Sequence, residues 1–250
     1  MTEPQPLRPH PLLHRYYQTE EQRRRQVDAW FDEAAGDYDW INQAISFGSG
    51  GRYRREALLR AGLAAGMRLL DAGAGTGVVA AQAQTVVGAR GLVVALDPSL
   101  GMLRQATRRG VKRRLRGFAE ALPLPDHTFD MVSMGYALRH VTDLRTTFRE
   151  YLRVLKPGGT LLLLEITPPS SRLAHRVLAL YLGRLVPLLA RFGRGGHATR
   201  ELMEYYWDTI EHCVPPDVIL AALADVGFVS PQRHVEMGIF SEYRAARGEG

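Results

Sequence analysis

Apolar residues recur at helical spacing from about Thr19. Val27, Trp30, Phe31, Ala34 and Ala35 fall at i, i+3, i+4, i+7 and i+8 and form one stripe, with Arg23, Arg24 and Arg25 ahead of it on the wet side. A second helix is predicted over roughly Arg52 to Ala61. The period then changes. Arg68-Leu69-Leu70 reads as a short strand that enters a glycine-rich loop and a helix through about Val86. Leu92 to Leu96 is a β-branched run ending at Asp97, after which Ser99 caps a helix to about Arg109. Phe129 to Met134 is a further strand. Asp143 to Leu155 is helical and stops at Lys156-Pro157-Gly158-Gly159. Thr160 to Leu164 is a continuous apolar strand, the kind a parallel sheet buries on both faces. This alternation predicts a doubly wound, Rossmann-like α/β domain. Ser171 to about Glu211 is all helical, Leu220 to Gly227 adds one helix, and Pro231 to Ala245 reads as a closing hairpin. The expected organisation is a mobile proline-rich arm over 1–18 and a single domain over 19–250, with cover helices at 19–62 and 171–212 placed as a lid.

Composition narrows the class. A 250-residue chain that is 46% hydrophobic suffices for one well-buried core. Its one cysteine, Cys213, excludes an internal disulfide, and no Cys/His cluster has metal-ligand spacing, so no metal is expected. The N-terminus lacks the apolar segment of a signal peptide, and no uninterrupted apolar stretch reaches spanning length. A cytoplasmic location is the expectation, with peripheral contact at the inner membrane surface left open. The net charge of +6 fits nucleic acid, a membrane surface, an anionic ligand, or a simple preference for Arg over Lys. Nucleic acid is disfavoured: the strand ending at Ser133-Met134 lacks the Asn/Asp-Pro-Pro-aromatic run that holds a flipped base amine.

The most informative segment is Leu69-Leu70-Asp71-Ala72-Gly73-Ala74-Gly75-Thr76-Gly77. A strand feeds a Gly-x-Gly-x-Gly loop that opens a helix, so backbone can turn tightly and a ligand can approach it closely. The dinucleotide fingerprint needs Gly or Ala where Val78 stands, so the loop is the wrong shape for a pyrophosphate. It suits a ligand without phosphate, such as the methionine part of S-adenosyl-L-methionine, with Asp71 placed to pair with its ammonium group. Asp97, at the end of the next strand, is where an acidic side chain takes ribose hydroxyls. A tight turn followed by a helix-capping acid is the competing reading.

Further runs make the pattern more specific. They are Val27-Asp28-Ala29-Trp30-Phe31-Asp32, Tyr38-Asp39-Trp40-Ile41-Asn42, Ser46-Phe47-Gly48, Ala119-Glu120-Ala121-Leu122-Pro123, Leu138-Arg139-His140-Val141-Thr142-Asp143 and Arg153-Val154-Leu155-Lys156-Pro157-Gly158-Gly159. Together they resemble the ubiquinone/menaquinone biosynthesis C-methyltransferases, from about Val27 to the C-terminus. The resemblance implies a seven-stranded class I methyltransferase sheet with only its last strand antiparallel. It implies S-adenosyl-L-methionine as cofactor and methyl transfer to the ring carbon of a lipid-tailed quinol. Carried over by position, Gly73, Gly75 and Gly77 pass the methionine moiety, Asp97 takes the ribose, and Pro98 and Ser99 flank it. Ala119 and Glu120 lie at the adenine edge, Tyr38 and Phe47 belong to the cover, and Met102 and Met134 join the same cofactor set. The chain departs from the family at Phe118, where a polar residue is usual, and at His140, in place of Asn. It departs again at Gly50-Gly51-Arg52-Tyr53-Arg54, in place of His-Arg-x-Trp-Lys, and at Ile239 to Tyr243.

For a phenolic acceptor, Arg139 would stabilise the phenolate and His140 would take the hydroxyl proton, its intrinsic pKa lying near neutrality. Alternatively Arg139 pairs with Asp143 and His140 is a polar residue at a helix start. Tyr205, Tyr206 and Phe240 line an acceptor pocket or else form lid core. The acceptor is expected to be small and apolar or aromatic. O- or N-methylation of another small molecule, a phospholipid headgroup included, stays open, as do a cofactor-binding protein without turnover and a dimer.

Overall fold

A computed structural model of the chain describes residues 5–36, 38, 50–191 and 196–249. Phe47, which the resemblance assigns to the cofactor, lies outside these residues. Helix α1 (Glu20–Ala34) begins where Thr19 accepts the Gln22 amide, and α2 is Gly50–Arg60. Then come β1 (Arg68–Ala72), α3 (Val78–Val87), β2 (Leu92–Asp97), α4 (Leu100–Arg108), β3 (Arg113–Arg116), β4 (Phe129–Gly135), α5 (Leu144–Val154) and β5 (Leu155–Ile166). Ser99 caps α4 as the sequence predicts, and Asp143 caps α5 by accepting the Arg145 and Thr146 amides. The helical cover consists of α6 (Arg172–Leu180), a π turn (Tyr181–Leu185), α7 (Val186–Ala190) and α8 (Gly196–Glu211). Helix α9 (Pro216–Asp225) leads into the hairpin β6 (Phe228–Glu236) and β7 (Phe240–Arg247).

The described strands form one seven-stranded sheet in the order β3-β2-β1-β4-β5-β7-β6. Every pairing is parallel except those of β7, which runs against both β5 and β6. Alternate side chains feed two cores. Leu70, Val132, Leu161 and Leu163 pack on one face with Phe148 and Tyr151 of α5 and Leu223 of α9. Leu69, Met131, Leu162 and Leu164 pack on the other with Leu58 of α2 and Ala80 and Ala83 of α3. A third core joins α1 to the cover through Val27, Trp30, Leu182, Val186, Leu202 and Tyr205. The strand order reverses between β1 and β4, and in sheets of this kind ligands bind at the carboxyl ends beside that reversal.

Four features differ from the sequence expectation. Strand β3 went unpredicted because Arg113-Arg114-Leu115-Arg116 has no apolar run; it is an edge strand paired only to β2, and charge is tolerated there. Strand β5 begins at Leu155, through the Lys-Pro-Gly-Gly turn instead of after it. The arm expected to be mobile is packed: Leu13 and Tyr17 are buried, and the Leu7 and Pro9 carbonyls accept the Leu144 and Val214 amides. Finally, Arg172–Ala190 is a continuous helical stretch of 19 residues and mean hydropathy 1.4, long and apolar enough to cross a membrane. Arg184 and Pro187 interrupt the apolar run in sequence but not the helix.

Candidate active site

A cleft of about 1150 Å³, open at its mouth, lies over the carboxyl ends of β1, β2 and β4. Its floor is the loop after β1. The three loop glycines all have positive φ, but each for a separate reason. A Cβ on Gly73 would lie 2.7 Å from Ala137 Cβ, in the loop that follows β4. One on Gly77 would lie 2.7 Å from Val111 and 2.9 Å from Ala106, where α3 approaches α4. One on Gly75 would meet nothing within 4 Å. Gly73 and Gly75 therefore line the cleft, whereas Gly77 serves the packing beneath it.

Asp97 closes one side. Its Oδ2 accepts the Gly75 amide at 2.8 Å and its Oδ1 the Ser99 amide at 2.9 Å, which ties the glycine loop to the start of α4. Burial raises its pKa to about 6 against the pull of those two bonds. Pro98, Ser99, Met102, Phe118, Ala119 and Glu120 continue the wall. Glu120 accepts the Thr142 amide at 2.8 Å and its hydroxyl at 3.0 Å, which closes the far end against the segment after β4. Phe118 is partly exposed at the rim beneath the Arg24 guanidinium. Asp71 does not reach the cleft. It is fully buried under the loop, accepts the Ser133 hydroxyl at 2.8 Å, and burial raises its pKa to about 7.

The opposite wall carries Tyr38, Met134, Gly135, Tyr136 and His140, with Val27 and Phe31 of α1 above. Tyr136 holds φ +62 at the end of β4, a conformation uncommon for residues other than glycine, and Arg54 stacks on its ring at 4.7 Å. Neither Tyr136 nor Arg54 was singled out as a site residue in the sequence.

Arg139 is not in this wall. It is wholly buried behind it, with Nε donating to Glu165 Oε2 at 2.9 Å. Its other nitrogens donate to Thr209 Oγ1 at 2.7 Å and to the Tyr206 and Tyr136 carbonyls. Burial works against its charge, and the Glu165 carboxylate more than offsets this and holds it protonated. Nor does it pair with Asp143, whose oxygens take the Leu7 amide and the first turn of α5. Tyr205 and Tyr206 also lie outside the cleft. Tyr205 is buried against Trp30, and Tyr206 lies under Arg139 with its ring 4.4 Å from the guanidinium carbon. Phe240 packs on Tyr53.

Of the three arginines that line the cleft, Arg23, Arg24 and Arg54, only Arg23 is buried. Its NH2 donates to the Val141 carbonyl at 3.0 Å and its NH1 to Glu20 at 3.0 Å, while its Nε has no hydrogen-bond partner among the described residues. His140 Nδ1 lies 3.4 Å from the Tyr205 hydroxyl, and its Nε2 is buried without a partner among the described residues. Burial, reinforced by Arg139, Arg23 and His10, pushes the His140 pKa well below its usual value, so the ring is neutral at physiological pH. The expectation of a base near neutrality is corrected accordingly.

A model of the ubiE/COQ5 methyltransferase family matches residues 17–245. The chain belongs to this family. A ubiquinone/menaquinone biosynthesis C-methyltransferase UbiE from Shewanella sediminis is 33% identical over 215 residues, covering 83% of this chain and 84% of that one. Its counterpart from Pseudomonas putida strain W619 is 32% identical over 247 residues, or 95% of each chain. Solved structures of a SAM-dependent methyltransferase from Aquifex aeolicus and a possible histamine N-methyltransferase from Thermotoga maritima share the fold. Their TM-scores are 0.57 and 0.62, at 22% and 19% identity over 77% and 88% of this chain and 88% and 99% of theirs.

This member of the ubiE/COQ5 family is an S-adenosyl-L-methionine-dependent methyltransferase. The cleft's donor set fits that cofactor. Asp97 is a carboxylate for hydroxyl donors, and the open space over Gly75 is the room a Cβ would fill. Arg54 offers a cation beside the glycine loop for a carboxylate, and Met102, Phe118 and Val141 give an apolar slot for a purine.

Proposed function

We propose that the enzyme methylates a ring carbon of a lipophilic quinol or phenol, with Arg23 and His140 acting on the acceptor hydroxyl. The observation that carries this reading is a pair of buried polar atoms without partners among the described residues, Arg23 Nε and His140 Nε2, on residues that line one cleft with the cofactor-side groups. Native proteins seldom leave such atoms unpaired unless a ligand, water or function accounts for them. Around them the walls are apolar and aromatic, through Val27, Phe31, Tyr38, Tyr136 and Ala137, which suits a ring more than a charged headgroup.

When bound, the cofactor supplies an electrophilic methyl group on a sulfonium. The protein then has to hold the ring in line with it, exclude water and make the ring electron-rich. Loss of the hydroxyl proton achieves the last of these. Arg23 stabilises the phenolate, and the neutral Nε2 of His140 accepts the proton. The phenolate beside it then offsets the repulsion that Arg139 and Arg23 exert on a protonated ring.

The test incubates the full chain with labelled S-adenosyl-L-methionine and, separately, a demethyl-quinol, a catechol and phosphoethanolamine, followed by mass spectrometry and NMR of the product. A new carbon–methyl bond on the quinol is the expected result. A methyl ether or an N-methyl product would replace this reading with O- or N-methylation. Histidine-to-alanine replacement at position 140 should lower kcat on the true acceptor by about a hundredfold or more. Cofactor affinity should stay within about twofold.

A further inference from the structure

We infer that the outer face of Arg172–Ala190 docks the enzyme on an anionic lipid bilayer, lying along its surface and not spanning it. This helix is the one stretch among the described residues long and apolar enough to cross a membrane, yet its inner side is already committed. Leu182, Val186, Pro187 and Ala190 are buried, within the cover core and beside it. The opposite side is open: Leu173 is 73% exposed and Val177 and Leu180 61% each, with Leu185, Leu188 and Leu189 also exposed.

The π turn is what makes those six residues one face. At about 100° per residue, a regular helix would carry Leu185 and Leu189 about 120° and 160° round from Leu173. That is the side on which Leu182 is buried. The wider turn at Tyr181–Leu185 lets the helix lag by about one residue, which returns both to the exposed side. An apolar surface of this extent, held rigidly outward, marks an interaction site.

Charge decides the occupant. Between Glu165 and Glu201 the chain contains no Asp or Glu, and it carries Arg172, Arg176, Arg184, Arg191, Arg194 and Arg200. The first four are exposed along the helix and at its end. An apolar stripe edged with arginines is what an interfacial helix presents to anionic headgroups, with its aliphatic side chains at the acyl boundary; a carboxylate that touches this helix, Glu211 of α8, is paired to His175 at 3.1 Å. A second copy fits poorly, because a two-fold contact would set each patch of arginines against itself. The inference stands on this face and not on the identity of the acceptor, so the acceptor assay and the assay below fail independently.

The experiment is vesicle flotation of the full chain with phosphatidylcholine alone and with phosphatidylcholine mixed with phosphatidylglycerol. Strong binding to the mixed vesicles, weakened by salt, is expected. Combined Leu173→Glu, Val177→Glu and Leu188→Glu should reduce it at least about tenfold. Arg172→Gln with Arg176→Gln should reduce it about fivefold per arginine. Melting temperature and cofactor affinity should be unchanged in both, since the replaced side chains face outward. Absence of flotation with either vesicle, or equal binding by the glutamate variant, overturns the proposal. So does sedimentation showing a dimer that the glutamate variant loses, with no vesicle binding.

Discussion

Asp97 is a buried carboxylate whose pKa is raised to about 6 in the free protein. Hydroxyl donors favour its ionised form, so cofactor binding should pull that pKa down, and the affinity must then depend on pH. The sign follows directly. Above about pH 6 the carboxylate is already ionised and affinity is full; below it, a proton must first be released, and affinity falls towards tenfold per pH unit. Asp97→Asn should bind roughly ten- to a hundredfold more weakly and lose this dependence, which calorimetry across pH 5 to 8 would test. An affinity flat in pH for the native enzyme would remove Asp97 from the cofactor site. Arg139 and Glu165 belong to stability. Removing either partner leaves a buried charge uncompensated, at a cost of about 3–5 kcal/mol. The double replacement Arg139→Gln with Glu165→Gln should cost less than the sum of the two by more than about 1 kcal/mol, as urea unfolding would show. The sequence offered Asp143, one turn on, as the visible partner, and nothing local pointed to Glu165 at the end of the neighbouring strand. Arg23 was legible in retrospect: it lies four residues before Val27, on the same stripe as Trp30 and Ala34, but two adjacent arginines masked it.

At the scale of elements, the glycine loop separates binding from folding. Gly75→Ala adds a Cβ to open space, so its stability cost is the left-handed backbone alone, roughly 1 kcal/mol. That Cβ enters the cleft, and cofactor affinity should fall by about tenfold or more. Gly77→Ala meets atoms at 2.7 and 2.9 Å as well as the backbone cost, and should lose about 2–4 kcal/mol. Thermal melts with and without cofactor would distinguish the two. If Gly75→Ala binds as tightly as the native enzyme, the open space is not cofactor space. The loop, β1, β2 and Asp97 were readable in advance because their period and turn chemistry agree. Strand β3 was not, because three arginines on an edge strand carry no apolar period. Tyr136 was not either, because a positive φ outside glycine leaves no mark in sequence.

For the molecule as a whole, the segment before α1 is a strap. Its prolines read as a loose arm, but its extended part before the turn at Leu13 leaves backbone amides and carbonyls free for other elements. The Leu7 amide donates to Asp143 Oδ1 at 2.8 Å, the Leu7 carbonyl accepts from Leu144 at 2.9 Å, and the Pro9 carbonyl accepts from Val214 at 2.7 Å. The strap therefore joins the start of α5 to the link between α8 and α9. Beyond it, Tyr16 donates to Asp208 at 2.6 Å, and Tyr17 packs edge-on against Tyr205. His10 is buried there, with its pKa lowered to about 4 chiefly by burial, and it is one of the groups that disfavour protonation of His140. Deleting residues 1–10 removes two backbone–backbone hydrogen bonds and the Leu7 amide's bond to Asp143, at about 1 kcal/mol each. For a domain of this size, a loss of about 3 kcal/mol corresponds to a fall of roughly 6–12 °C in Tm. It also takes away His10, one of the groups that disfavour protonation of His140. The His140 pKa should therefore rise towards its ordinary value, and at saturating cofactor the kcat–pH profile should gain an acid limb that the full chain lacks. Calorimetry and rate measurements on the truncated enzyme test both parts. A Tm within a degree or two of the full chain would show the strap to be passive, and an unchanged pH profile would show that His140 keeps its environment without it.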